Sequence, residues 1–194
     1  MALAAVGDFR LWCYEPFAYP AGTPLVGRTN GIGFSSPWEP GGYNSSFDRL
    51  FRTKSGALRY AGLAVQGATH VSGEAVPGQG IAGLGRLLAT DLAIPNTTCY
   101  LSFLHRPDAE EEFASIVVGT GEGNELAIGK SASTGQYYIS NRGGAGRVLS
   151  GVQAVVGRTR FIVVKIFTDC ALIRKLCSNL EKLCPQLISM PLWV

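Results

Sequence analysis

The chain of 194 residues is 46% hydrophobic and 16% charged with a formal net charge of +3, which excludes intrinsic disorder and is long enough for one well-buried domain. Lys and Arg are spread along the chain without a basic block or an interleaved aromatic stripe, so the usual footprint of nucleic-acid binding is missing. No apolar run reaches the roughly 18 residues of a membrane-spanning helix, and no span is expected.

Glycine (25 residues) and proline (10 residues) punctuate the sequence and favour many short strands over long helices. The start, Met1 to Asp8, lacks a basic region and its apolar stretch is too short for a signal peptide. Residues 14–38 alternate strand-like and turn-like pieces: Tyr14 to Phe17, the turn Tyr19 to Pro24, Gly31 to Phe34, then Trp38. Residues 39–56 are polar, with Phe47, Leu50 and Phe51 embedded, and suggest a long connection with buried anchors. Residues 67–85 are so glycine-rich that a loop with at most one short strand is expected.

The clearest strand is Cys99 to His105. Tyr100, Ser102 and Leu104 point to one side of it, and Cys99, Leu101, Phe103 and His105 to the other. Ser115–Val118, Glu125–Lys130, Gln136–Ser140, Arg147–Leu149 and Arg160–Phe167 follow, separated by turns, in the rhythm of a β-sandwich or barrel. Beyond residue 168 the character changes. Glycine vanishes after Gly157, and Cys170, Ile173, Cys177, Leu180, Cys184 and Leu187 recur at heptad a/d spacing until Pro185 interrupts. A short amphipathic helix is expected there.

The chemistry this sequence could carry is narrow. His70 and His105 are the only histidines, no Gly-x-Ser-x-Gly elbow occurs, and both histidines read as ordinary loop or strand-edge residues. The acidic run Asp108, Glu110, Glu111, Glu112 lacks the alternate spacing that would aim two carboxylates across one glycosidic bond. It reads as a solvated turn, or alternatively as a calcium site using Asp108 and Glu110, since calcium wants several hard oxygens. Gly78 to Gly83 matches G-x-G-x-x-G but follows Val76-Pro77 in an all-β context, which removes its dinucleotide meaning. Cys170, Cys177 and Cys184 cannot share one zinc on a helix, where seven residues rise about 10.5 Å. The odd total of five cysteines also argues against a complete disulfide framework. Surface aromatics could stack on sugar rings, and Trp38, Tyr43, Tyr137 and Tyr138 are the candidates. Tyr137 and Tyr138 are adjacent, so in a strand one of them is expected to face outward.

Taken in order, Tyr14-Glu-Pro-Phe-Ala-Tyr-Pro-Ala-Gly-Thr-Pro-Leu25, Asn30-Gly-Ile-Gly-Phe-Ser-Ser-Pro-Trp38, Cys99 to Asp108, Phe113 to Gly119, Leu126 to Lys130, Asn141 to Gly144 and Phe161 to Lys165 resemble LamG-like jelly-roll domains of the concanavalin A-like lectin/glucanase group. Such domains are found in bacterial secreted or surface proteins, planctomycete-type and sorting-signal-associated ones among them. The resemblance spans residues 14–167. It implies an all-β, two-sheet antiparallel jelly-roll sandwich, an extracellular or cell-surface location, and non-catalytic binding of carbohydrate or a surface polymer, with calcium in some members. It carries over no catalytic residues. The expected organisation is therefore a jelly-roll domain over 1–167, missing its closing strands, and a helical Cys/Leu-rich tail over 168–194 that is foreign to the fold, as an out-of-frame extension would be. Two other readings stay open: a structural or degenerate domain without ligand, and, more weakly, a glycoside hydrolase of the same fold.

Overall fold

The computed structural model describes residues 10–41, 51–65, 67–73, 83–90, 97–110, 112, 114–119, 125–141, 146–168 and 192–193. These are organised entirely by antiparallel strand pairs and turns, with no helix among the described residues. The chain divides into two compact units, Met1–Ala57 with Ala64–Asp91, and Leu58–Leu63 with Leu92–Val194.

The first unit is loop-rich and held by small ladders. Strand β1 (Glu39–Gly41) pairs with β4 (Gly83–Gly85), and β2 (Arg52–Ser55) with β3 (Thr69–Ser72). Single bridges join Tyr14 to Ile32, Pro24 to Arg52 and Phe34 to Leu88. The glycine-rich stretch 67–85 thus contributes two short strands where the sequence suggests at most one. The pairing is made by backbone groups, which Gly83-Leu84-Gly85 supplies without any side-chain alternation to announce it. Two turns demand glycine. Gly31 and Gly33 have φ of 96° and 78°, and a Cβ on Gly33 would collide with the carbonyl of Trp12.

Polar side chains do much of the packing in this unit. Thr53, 1% exposed, donates from Oγ1 to the Pro20 carbonyl at 2.6 Å and accepts from the Thr23 amide at 3.1 Å. The Glu15 carboxylate lies under the Arg86 guanidinium and accepts from Trp38 Nε1 at 3.1 Å, while Arg86 sits 4.1 Å from the Phe34 ring centroid. A buried charge persists only when paired and hydrogen-bonded, and here both conditions hold.

The second unit contains two larger sheets. Strand β5 (Thr97–His105) pairs along its whole length with β10 (Arg160–Thr168), and β11 (Leu192–Trp193) adds to the other side of β10 opposite Val163 and Val164. The second sheet runs in the order β6 (Ala114–Gly119), β7 (Glu125–Lys130), β8 (Gln136–Asn141), β9 (Gly146–Gln153), each joined to the next antiparallel. Leu126, Ile128, Tyr137, Ala154, Ile162 and Val164 form one buried cluster, with Leu101, Phe103, Ile139, Val152 and Ile166 packed against it. Both sheets contribute to this single apolar core, as in a sandwich. Strand β7 is buried at every position from Leu126 to Lys130, as a central strand covered on both faces must be. On β9 the residues between Leu149 and Gln153 bulge opposite Tyr137, with Gly151 at φ 75°.

The expected strands of this unit coincide with β5 to β10, and the alternation expected for Cys99 to His105 holds: Leu101 and Phe103 pack on the core while Thr98, Tyr100 and Ser102 are exposed. The expected helical tail falls, from 169 to 191, outside the described residues.

Candidate functional site

The core of the second unit ends in a polar layer. Inward-facing positions of β5 and β10 run Cys99–Ile166, Leu101–Val164, Phe103–Ile162, and then His105–Arg160. On the facing sheet the matching row is Lys130 paired with Tyr137. His105 Nδ1 lies 3.2 Å from the Tyr137 hydroxyl, with the two rings edge-to-face at 5.8 Å. Its Nε2 lies 3.6 Å from Glu112 Oε1, an ion-pair rather than a hydrogen-bond separation.

Glu112 is anchored by the turn that carries it. Its Oε2 accepts from the Asp108 amide at 2.7 Å and the Ala109 amide at 3.4 Å. Burial pushes the Glu112 carboxyl up, but His105 and these two amides together outweigh burial and hold its pKa below the usual carboxylate value. Burial also raises the Tyr137 pKa, with Arg160 opposing and Glu112 reinforcing the shift. The tyrosine, 2% exposed, therefore stays neutral inside the core. Lys130, fully buried, threads its ammonium to the Glu110 and Glu112 carbonyls at 2.5 and 2.7 Å. Strand order alone explains the convergence: β7 and β8 are neighbours, and the segment joining β5 to β6 crosses their end. The layer is a clasp that fixes the 106–112 turn.

The outward face of the β5–β10 pair is different in kind. Tyr100, 54% exposed, stands opposite Lys165, with Ser102 opposite Val163 and Leu104 opposite Phe161. Tyr60 lies tilted against Phe161 with centroids 6.0 Å apart and is itself exposed. The result is an aromatic and hydroxyl-bearing strip with one exposed ammonium.

The residues singled out from sequence fall elsewhere. Tyr137 and Tyr138 do lie on opposite faces of β8, but neither is exposed: Tyr137 fills the polar end of the core, and Tyr138 lies 2% exposed with the Arg147 guanidinium 4.5 Å from its ring centroid. The expectation that one of them faces solvent is corrected, because the Arg147 side chain from the neighbouring strand β9 lies over the Tyr138 ring. Trp38 is half-buried, stacked on Phe17 at 6.0 Å and bonded to Glu15. Tyr43 lies outside the described residues. Asp108 is exposed and accepts from Arg106 Nε at 3.1 Å, while Glu110 takes part through its backbone carbonyl. No three His, Cys, Asp or Glu side chains gather into a metal-binding group among the described residues. The sequence reading missed His105, Glu112 and Lys130 as partners. The one signal available was polarity at inward positions, His105 on β5 and Lys130 on β7, where the strand pattern calls for apolar residues.

No family model, no curated protein and no solved structure matches the chain.

Proposed function

We propose that this chain is a non-catalytic, lectin-like module that binds carbohydrate or a surface polymer, on a jelly-roll sandwich of the LamG-like kind suggested by its sequence, and that it works outside the cell or on its surface. The observation that carries this reading is the outward face of β5 and β10, where Tyr100 is 54% exposed between the exposed hydroxyl residues Thr98 and Ser102. Aromatic rings offer a flat apolar surface to the C–H faces of sugars, and neighbouring hydroxyls offer the hydrogen bonds that orient them. The polar layer beneath does not recommend itself for bond cleavage. Its tyrosine is buried and held neutral, and its carboxylate is committed to two amides and a histidine.

A second reading, a scaffold domain without ligand, is favoured by the burial of Tyr137 and Tyr138. A glycan-array screen of the full chain, with and without calcium, separates the two. Specific binding that is lost in Tyr100→Ala supports the lectin-like reading, and a folded protein that binds no glycan overturns it. A requirement for calcium would support the metal reading of Asp108 and Glu110.

A further inference from the structure

We propose that the β5–β10 face selects acidic glycans, saccharides bearing a uronate carboxylate or a sulfate, by seating the sugar on Tyr100 and its anionic group on Lys165. The inference rests on the saccharide-binding reading above and adds the class of sugar. Ile162 and Val164, both 1% exposed, turn into the core, so the alternation of β10 sends Lys165 to the outer surface, where it is exposed. Strand β5 does the same for Tyr100 by burying Leu101 and Phe103 against the core. The ladder sets Tyr100 directly opposite Lys165, which brings their Cβ atoms to about 5 Å. Ring and ammonium therefore share one footprint, about the width of a single sugar residue.

Charge gives the selectivity. The nine residues of β5, Thr-Thr-Cys-Tyr-Leu-Ser-Phe-Leu-His, and the nine of β10, Arg-Phe-Ile-Val-Val-Lys-Ile-Phe-Thr, include no aspartate or glutamate. Neither strand supplies a carboxylate to neutralise Lys165 or to repel an anion. Thr98 and Ser102 lie on the same face two positions either side of Tyr100 and can bond the sugar hydroxyls. An ammonium beside a ring is a point charge on a flexible stem, suited to carboxylate and sulfate alike, so the face distinguishes acidic from neutral sugars rather than one acid from the other.

The test is binding of the full chain to polygalacturonate, dextran sulfate and neutral dextran by calorimetry at low and physiological salt. Four proteins are compared: the parent, Tyr100→Ala, Lys165→Glu, and Lys54→Glu, which makes the same charge change at an exposed position of strand β2. Circular dichroism confirms that each is folded. The expected result is binding to one or both acidic polymers and not to dextran, weakened about tenfold or more by Tyr100→Ala and by Lys165→Glu, and unchanged by Lys54→Glu. The two acidic polymers show whether carboxylate or sulfate is preferred. Equal weakening by Lys54→Glu means attraction to net charge alone and overturns the site. Binding of neutral dextran that ignores Lys165 overturns the acidic-glycan inference but leaves the saccharide reading standing. Failure to bind any glycan, here and on the array, overturns both.

Discussion

Glu15 and Arg86 meet at 2.6 Å with side chains only 8% and 3% exposed, 71 positions apart in the chain. The pair joins the Tyr14–Phe17 segment to the residue that follows β4. Arg86 also donates to the Asn30 carbonyl at 2.6 Å and the Ser36 carbonyl at 3.1 Å, and Glu15 accepts from the Phe17 amide at 2.9 Å. Removing one partner strands the other charge in the interior, at a cost of about 3–5 kcal/mol. Glu15→Gln and Arg86→Met are each expected to destabilise the chain by about that amount in urea denaturation. In Glu15→Gln the emission of Trp38, whose Nε1 donates to the lost carboxylate, shifts as well. Loss of under about 0.5 kcal/mol would place the pair among weak surface bridges and contradict this role.

Gly129 on β7 has no room for a side chain, because a Cβ there would strike the carbonyl of Ala114 and lie 2.6 Å from the Cα of Ser115. Those neighbours are the backbone of β6, paired to β7 through Ser115 and Gly129. They cannot yield without breaking the ladder. Gly56, at φ 86° with nothing within 4 Å of a Cβ, offers the contrast of backbone strain alone. Gly56→Ala is expected to cost about 1 kcal/mol, and Gly129→Ala about 3 kcal/mol, with loss of core packing. Thermal melts of the two variants side by side test the ordering.

The second unit was legible in the sequence because its strands bury alternate residues. Leu101 and Phe103 on β5, with Ile162 and Val164 on β10, print the period of two that a half-buried strand requires. The first unit was less legible because its ladders are short, glycine-containing and held by Thr53 and Arg86 rather than by an apolar stripe. The candidate site divided in the same way. That Tyr137 and Tyr138 take opposite faces followed from alternation. Their burial did not, because it depends on side chains that the fold brings over them, His105 of β5 against Tyr137 and Arg147 of β9 over Tyr138. Alternation put Tyr100 on one side of its strand with Ser102 and Leu104, but that this side faces outward, and that Tyr100 pairs with Lys165, needed the packing and register of β5 against β10.

Acid stability should depend on Glu112. Its pKa is depressed in the folded chain, so the unfolded chain binds more protons as the pH drops toward the ordinary value of 4.5. The stabilisation is complete above that value and is lost as pH falls through the lower folded value. Urea midpoints from pH 6 down to pH 3 are expected to fall less steeply in Glu112→Gln than in the parent. The hydroxyl of Tyr137 works in the opposite direction. Its raised pKa keeps it protonated in the folded chain, so stability is lost as pH climbs above 10.0, and Tyr137→Phe flattens that alkaline limb. Parallel acid limbs in Glu112→Gln and the parent would mean that the carboxylate contributes no net stabilisation.

Lys130 should act locally. Its ammonium bonds two carbonyls of one turn, Glu110 and Glu112, and the Glu112 side chain folds back on the Asp108 and Ala109 amides of that turn. Lys130→Met keeps the aliphatic stem and the packing beside Tyr137 but leaves both carbonyls without their donor. Each unsatisfied buried group costs about 1–3 kcal/mol, and the turn can relieve that cost by opening to water. Hydrogen exchange followed by mass spectrometry is therefore expected to show faster exchange of the Asp108 and Ala109 amides in the variant. Exchange in β10, whose pairing with β5 does not involve Lys130, stays at the parental rate. Acceleration spread evenly over β5, β7 and β10 would instead mean global destabilisation, and the clasp would have no separate existence.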